Sequence, residues 1–549
     1  MGAQSRAEEL GRLLREIKGR SGRSYEWIGR RINASKSTVH RYCSGEIIPP
    51  NFATVEQIAL ACRADRADLV RLHRLWILAT AEAEETDDPP PGSHPPAEPV
   101  RSEPPRRGPF WQGSRHAATW AGVGLVLVSL LISQVGSSPP LTAARGQAQQ
   151  ITGPSWALPP APVPHTLFGV TVNSATGDMP SFRVGAVRLW DSATRWSQIQ
   201  RARGKYDWAT LDRLVTGAER SRLPVLFVFG GTPGWASPDG PPAPYPDGAR
   251  AAPPDDLKDW EAFVRATVRR YTGRIEAYEL WVLGNDDRFF NGDLGTLAEM
   301  TRRASRIIRA ADPDADVVCP GMGQLWSHEG RDAMRRFAEL GGYAHCDVAS
   351  VKLHQRSASE PPETMLELAD VAYKVLHEAG AHPPLWSTGT TYMLPLDRPL
   401  DALTARDFAV RYFLAGIYAR DLNLERMYFY NWGGTKLPLV LQAVGGEPTE
   451  AALAVERLQG WLAEARSRSC GQGSAIGMPA NVWRCEFLVT DAGNTRRAAV
   501  VWSIGGMAKT TVREAAELRR LDGTSRRLRP LEVVTFGEDP VYVEYLGVP

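Results

Sequence analysis

Cysteine is scarce in this chain, six in 549 residues, and no two stand at the C-x-x-C spacing that a structural zinc needs. That excludes a disulfide-built scaffold, and neither a metal nor a cofactor is expected. Net charge is nearly absent as well: 64 Lys+Arg against 62 Asp+Glu leave +2. Together with 43% hydrophobic residues, this excludes a disordered or supercharged chain. Opposite local charges cancel in such a sum, so charge has to be read segment by segment. The length suits roughly three to five folded units, with room for at least one large core.

Long apolar runs are equally rare. The one that stands out, AATWAGVGLVLVSLLISQVG at 117–136, has no charge in twenty residues. As a helix rising ~1.5 Å per residue it would cross a ~30 Å hydrocarbon core. Its flanks are polar and Pro-rich and offer it nothing to pack against, and it starts too far along the chain for a cleaved signal peptide. Arg101, Arg106, Arg107 and Arg115 precede it, and no charge follows until Arg145. The positive-inside rule therefore places the N-terminus in the cytoplasm and the C-terminal part outside, as in a single-pass protein of the cell membrane. Pro-rich segments frame the span: a cytoplasmic linker at 81–116 and an outer stalk at 137–166.

Residues 1–80 carry 14 Lys+Arg against 8 Asp+Glu, a local excess that suits a phosphate backbone. Leu10, Leu13, Leu14 and Ile17 fall at helical spacing, Ser24 is a candidate N-cap, and a break at Asn33 and Ala34 separates a short helix from one opening near Ser35. This is a helix-turn-helix arrangement. Lys36, Ser37, Thr38, His40 and Arg41 would face DNA from the second helix. The stretch SYEWIGRRINASKSTVHRYCSGEIIPP, with the following TVEQIALACRA, resembles the lambda-repressor-like domains of bacterial regulators. Such domains also serve purely for protein contact. A membrane protein of the bacterial rod-shape apparatus, whose layout is similar, uses one to hold a cytoskeletal filament.

Beyond residue 166, short apolar runs begin at 168, 186, 224, 275, 316, 347, 384 and 426, with amphipathic helices between them. Eight such units predict a (β/α)₈ barrel over 167–466, with its site at the C-terminal ends of the strands. Arg188, Trp190, Trp235, Trp281, Asn285, His354, Trp386 and Trp432 lie near those ends, with Asn431 beside the last, a combination suited to sugar rings. AVRLWD, GKYDW, FGGTPGWAS, IEAYELW and PLWST resemble the retaining (β/α)₈ glycoside hydrolases, family 39 and the cellulase-like families above all. In that clan the fourth strand ends W-N-E-P-N with the acid/base Glu, and the seventh strand ends with the nucleophilic Glu. Here those two positions hold Leu283 and Gly389. Retaining hydrolysis needs two carboxyl groups ~5–5.5 Å apart, so no catalytic residue is expected. Glu279 precedes Leu283 by four residues and would lie ~13 Å deeper at ~3.3 Å per residue, as a buried structural acid. Asp286 and Asp287 are placed to reach the cleft, but the seventh strand has no counterpart.

Past 467, short alternating runs predict a small β-sandwich. Cys470 and Cys485 are a disulfide candidate in an oxidising compartment. Cys319 and Cys346 stay open between a bond and two buried thiols, and Cys43 and Cys62 are expected reduced. The expected whole is a membrane-anchored regulator: a cytoplasmic DNA reader joined to an outer, inactive glycosidase-like domain that binds carbohydrate or cell-wall glycan. Ligand-dependent homodimerisation is the simplest means of signalling. The alternatives are an active cell-surface glycoside hydrolase and a scaffold whose inner domain binds protein.

Overall fold

The computed structural model describes residues 6–31, 36–49, 52–86, 153–391, 394–491 and 494–547. They fall into a helical unit within Met1–Ser137 and a larger unit within Ser138–Pro549. The span expected at 117–136 and most of both linkers lie outside the described residues. Among the described residues no helix is long and apolar enough to cross a membrane.

In the helical unit, Leu10, Leu13, Leu14 and Ile17 form the buried face of α1 (Arg6–Ser21), whose first turn is acidic and last turn basic, as the helix dipole favours. Ser24 caps α2 (Tyr25–Arg31), its hydroxyl accepting from the Trp27 N–H at 3.1 Å. Next come α3 (Lys36–Ser44), α4 (Phe52–Ala61) and α5 (Arg66–Thr86). A glycine inside α1 costs helix stability, and Gly11 has a packing reason. A Cβ there would meet the Gly45 nitrogen at 2.5 Å, so α1 rests directly on the end of α3. Arg15 also donates to the Cys43 carbonyl at 2.7 Å, satisfying a C-terminal acceptor of α3. The break expected at Asn33 and Ala34 lies outside the described residues. Residues 81–86, expected to open the linker, instead continue α5, as their Ala and Glu favour.

The larger unit opens with β1 (Trp156–Pro162), inside the segment expected to be a stalk. Its prolines are compatible with an edge strand carrying a bulge, where a missing N–H costs no ladder bond. The eight predicted barrel strands follow: β2 (Phe168–Val172), β3 (Ala186–Leu189), β4 (Val225–Val228), β5 (Ala277–Glu279), β6 (Asp316–Val318), β7 (Ala349–Val351), β8 (Leu385–Ser387) and β9 (Leu424–Trp432). They form one parallel sheet in the order β6-β5-β4-β3-β2-β9-β8-β7. Isolated parallel bridges, Val318–Val348 and Met322–Val351, span the seam and nearly close the barrel. Inside it, Ala186, Leu226, Ala277, Val318, Val348, Trp386 and Tyr428 pack into an apolar layer. Two residues further along several strands, the inward positions become Arg188, Glu279, Ser350 and Thr388, so a polar layer lies on the apolar one.

The chain ends in an antiparallel sandwich of β10 (Ala465–Gln472), β11 (Val482–Asp491), β12 (Asn494–Ser503), β13 (Ala508–Val512), β14 (Ala516–Arg519), β15 (Ser525–Leu528), β16 (Glu532–Phe536) and β17 (Val541–Tyr545). A seven-stranded sheet, β1-β10-β11-β12-β17-β14-β15, is covered by the β13-β16 pair. Cys470 and Cys485 are direct cross-strand partners and are bonded; Cys319 and Cys346 are bonded as well. Barrel and sandwich share one core, pinned by a buried ion pair. Arg411 donates twice to Glu363, at 2.7 and 2.6 Å, and Trp502 of the sandwich donates to the same carboxylate at 2.7 Å.

Candidate functional site

In α3, Val39 and Cys43 turn into the core while Lys36, Ser37, His40 and Arg41 are exposed and Thr38 is half-buried. The 3.6-residue period separates the two sets. One polar face thus collects the five residues expected to read DNA. His40 packs edge-on against Tyr25 at 5.2 Å, and Arg41 lies 3.5 Å from Glu46. Burial pushes the Cys43 thiol up to about 12, so it stays protonated, as does an ordinary buried thiol.

At the barrel mouth the polar layer centres on Glu279, which is fully buried. Its Oε2 accepts from Arg188 Nε at 2.7 Å. Its Oε1 accepts from Lys352 Nζ at 2.8 Å, Ser350 Oγ at 2.9 Å and Thr388 Oγ1 at 3.0 Å. Burial opposes its ionisation, yet Arg188 and Lys352 outweigh that and hold the carboxyl below its usual range. Burial, with Arg188 close by, pushes Lys352 down to about 7. Glu279 is therefore the structural acid that its depth on the strand implies.

The eight residues expected on a sugar-binding rim do not form an open one. Trp281 is fully buried and donates to the Phe289 carbonyl at 2.9 Å, under the loop that follows it. Trp432 is bound to Gln442 at 2.8 Å. Trp386 belongs to the lower apolar layer, with Arg426 over its ring at 4.0 Å. Trp190 is buried and donates to Tyr245 Oη at 2.8 Å. Asn285 bridges backbone, donating to Gly323 O at 2.7 Å and accepting from Gly323 N at 2.8 Å. His354 is buried, which pulls its imidazole below the usual range, and its Nδ1 lies 2.7 Å from the Gln355 carbonyl. Arg188 is held inside by Glu279, and Asn431, also buried, accepts from the Gly434 N–H at 3.1 Å. Only Trp235 keeps a half-exposed ring, with its N–H on the Gln200 carbonyl at 2.8 Å.

What closes the mouth was not anticipated. Arg195 lies over the Tyr245 ring at 3.9 Å and is paired with Asp247 at 2.5 Å and with Asp191 at 3.5 Å. Asp191 in turn accepts from Tyr430 Oη at 2.8 Å, and burial raises its pKa against both partners. Asp191 directly follows Trp190 in RLWD, a strand-end position that was legible in the sequence. Trp326, beyond the end of β6, meets the same strand-end criterion without standing among the expected rim residues. It is half-buried, donates to the His354 carbonyl at 3.1 Å and carries the Arg356 guanidinium 3.7 Å above its ring.

Leu283, at the acid/base position of the resembled clan, is 6% exposed. Gly389, at the nucleophile position, has no side chain. Asp286 is gripped by Arg288 at 2.9 and 2.7 Å; burial opposes its ionisation, but the guanidinium outweighs this and lowers its pKa. Around these two positions the described side chains form a buried charge network centred on Glu279.

No curated protein sequence matches the chain. Residues 9–72 match the family model described as a helix-turn-helix domain. The larger unit is similar in structure to a family 39 glycoside hydrolase from Bacteroides cellulosilyticus WH2, with a TM-score of 0.52 at 15% identity, covering 70% of this chain and 81% of that one. A glucosidase from Croceicoccus marinus gives a TM-score of 0.50 at 15% identity, covering 72% of this chain and 98% of the other. At such identities the likeness is one of fold. The chain thus joins an N-terminal helix-turn-helix domain to a C-terminal (β/α)₈ barrel that resembles glycoside hydrolases in structure.

Proposed function

We propose that this chain is a single-pass, membrane-anchored regulator. Its helix-turn-helix binds DNA through α3 in the cytoplasm, and its outer barrel binds carbohydrate without hydrolysing it. The observation that carries this reading is the pair of positions where a retaining glycosidase keeps its two Glu residues: Leu283 is apolar and buried, and Gly389 has no side chain. Neither can protonate a leaving oxygen or form a glycosyl intermediate. The anchor rests on the uncharged run at 117–136 and the arginines before it. With the inner tryptophans committed to packing, the half-buried ring of Trp235 and, with the Arg356 guanidinium displaced from its face, that of Trp326 are the sugar-stacking surfaces.

The test is thermal unfolding of the full chain with a panel of cell-wall and plant polysaccharide fragments, followed by product analysis. A ligand at 100 times its Kd adds about 2.7 kcal/mol, so a raised midpoint with intact glycan is the expected result. Released sugar would overturn the reading. Trp326→Ala is expected to weaken a bound glycan by about 1–3 kcal/mol, roughly five- to hundredfold, because a stacking face is lost. Unchanged titration of that variant would remove Trp326 from the surface.

A further inference from the structure

Two barrel helices, Leu257–Tyr271 and Leu294–Ala311, lie side by side. Arg303 on the second donates to Glu261 on the first at 2.9 Å. At their ends Thr272, just past the first, donates to the carbonyl of Ala311, the last residue of the second, at 3.4 Å. The helices therefore run in the same direction, and a groove of about 560 Å³ runs between them. From Arg303 to Ala311 it extends about 12 Å at ~1.5 Å per residue.

Charge in this groove does not balance. Glu299 accepts from Arg302 and Arg303, and Glu261 accepts from Arg303, so two carboxylates face two guanidiniums. Arg265, Arg269 and Arg306 line the same groove, all three exposed, and among the described residues none has a carboxylate partner. The remaining arginines of the two helices are paired, Arg270 with Asp212 and Arg309 with Asp347. Arg265 and Arg269 stand four residues apart on one helix face, where like charges repel at a cost to the helix. A helix dipole favours cations in the last turn only. That accounts for Arg269, but Arg265 and Arg306 lie further from their helix ends.

We infer that this groove binds a phosphodiester-linked polyol or sugar chain. Guanidinium forks reach into it from both helices. The oxygens of a phosphodiester stand tetrahedrally about phosphorus and can meet forks from two sides, whereas those of a carboxylate lie in one plane. The length of the groove suits a chain running along it better than a single ion. No aromatic side chain lines it, so nucleobases would have nothing to stack on. Ile307, Ala310 and Ala311 instead offer the C–H groups of a polyol or sugar an apolar surface. The inference rests on the reading of the barrel as a carbohydrate-binding unit and makes its ligand an anionic one.

The experiment titrates the full chain with poly(glycerol phosphate) by calorimetry. The basic helical unit attracts polyanions too, so the chain used throughout carries Lys36→Ala and Arg41→Ala. An exposed charge contact is worth up to about fivefold in affinity. Arg265→Gln, Arg269→Gln and Arg306→Gln together are therefore expected to weaken binding by about ten- to hundredfold. Because unpaired like charges are removed, the same variant is expected to unfold at an unchanged or higher temperature, which separates lost binding from lost folding. Arg270→Gln, Arg274→Gln and Arg309→Gln together remove equal charge from paired positions and are expected to cost less than about twofold. An equal loss in both triple variants, or none in the first, would overturn the proposal. So would polygalacturonate binding as tightly as the polymer, or monomeric glycerol phosphate binding as tightly per phosphate. Oligothymidylate that binds more tightly than the polymer and is lost with the groove arginines would overturn it in favour of a nucleic acid. Neutral glycans report separately on the barrel mouth. If they bind the groove variant as they bind the wild type while the polymer fails, the groove proposal falls and the carbohydrate reading stands.

Discussion

Replacing Glu279 by alanine is expected to destabilise the barrel by about 3–5 kcal/mol, a large fraction of a typical domain's stability. The carboxylate is fully buried and accepts from Arg188, Lys352, Ser350 and Thr388. Its removal strands two cations in the interior. Lys352 has an escape, because its pKa is already depressed to about 7 and it sheds its proton; the guanidinium has none. The cost therefore falls on Arg188. Exchanging all three residues together, Glu279→Leu with Arg188→Met and Lys352→Met, is expected to recover most of the loss, since a buried ion group replaced by packed apolar side chains is often neutral. Denaturant unfolding of the full chain measures both; a single-mutant loss below about 1 kcal/mol would mean the network is hydrated and weak. The same group sets a pH dependence. Unfolded, Lys352 keeps its proton to about 10.4, whereas folded it releases it near 7. Between those values the unfolded chain binds more protons, so this lysine's contribution makes the fold more stable as pH rises from about 7 to 10. The penalty is fully present below 7, and Lys352→Met should flatten that rise.

The eight barrel strands and the helices of the N-terminal unit were legible because both rest on short-range periodicity: apolar runs bounded by amphipathic helices, and α1 leucines at helical spacing. The burial of the expected rim was not legible, because it required depth and direction as well as position along a strand. The arithmetic that places Glu279 below the rim applies equally to Trp386, three residues before Gly389 and one layer down in the barrel. Trp281 depends on a further unknown, the loop carrying Phe289 and Phe290 that folds over it. The segment of strand β1 reads as stalk in the sequence for a related reason. Its prolines speak against a central strand, but only the partner shows that it is an edge, and β10 is some three hundred residues away. The closing group of Arg195, Tyr245 and Asp191 likewise joins segments far apart in the chain.

Exchanging both Lys36 and Arg41 for alanine is expected to weaken DNA binding at every sequence and to flatten its salt dependence. Both side chains are exposed on α3, where the buried face is held by Val39 and Cys43, so the fold should be unaffected to within about 0.5 kcal/mol. Among the described residues the ion pair lost, Arg41 with Glu46 at 3.5 Å, is an exposed one of little worth. Each cation that neutralises a phosphate adds about 0.9 to the slope of log K against log salt, so the double variant should lose about 1.8. The affinity loss at physiological salt is expected at tenfold or more. Because the phosphate contribution carries no sequence information, a non-specific duplex suffices and no operator has to be known. Ser37, Thr38 and His40 occupy the part of the same face that would meet base edges. Their alanine variants should therefore change which sequences are selected while leaving the salt slope near its wild-type value. A wild-type chain without affinity for duplex DNA at low salt would contradict the DNA-reading half of the proposal and turn the same exposed face toward a protein partner. A double variant with an unchanged slope would keep DNA binding but move the phosphate contacts off α3, to the remaining basic residues of the helical unit.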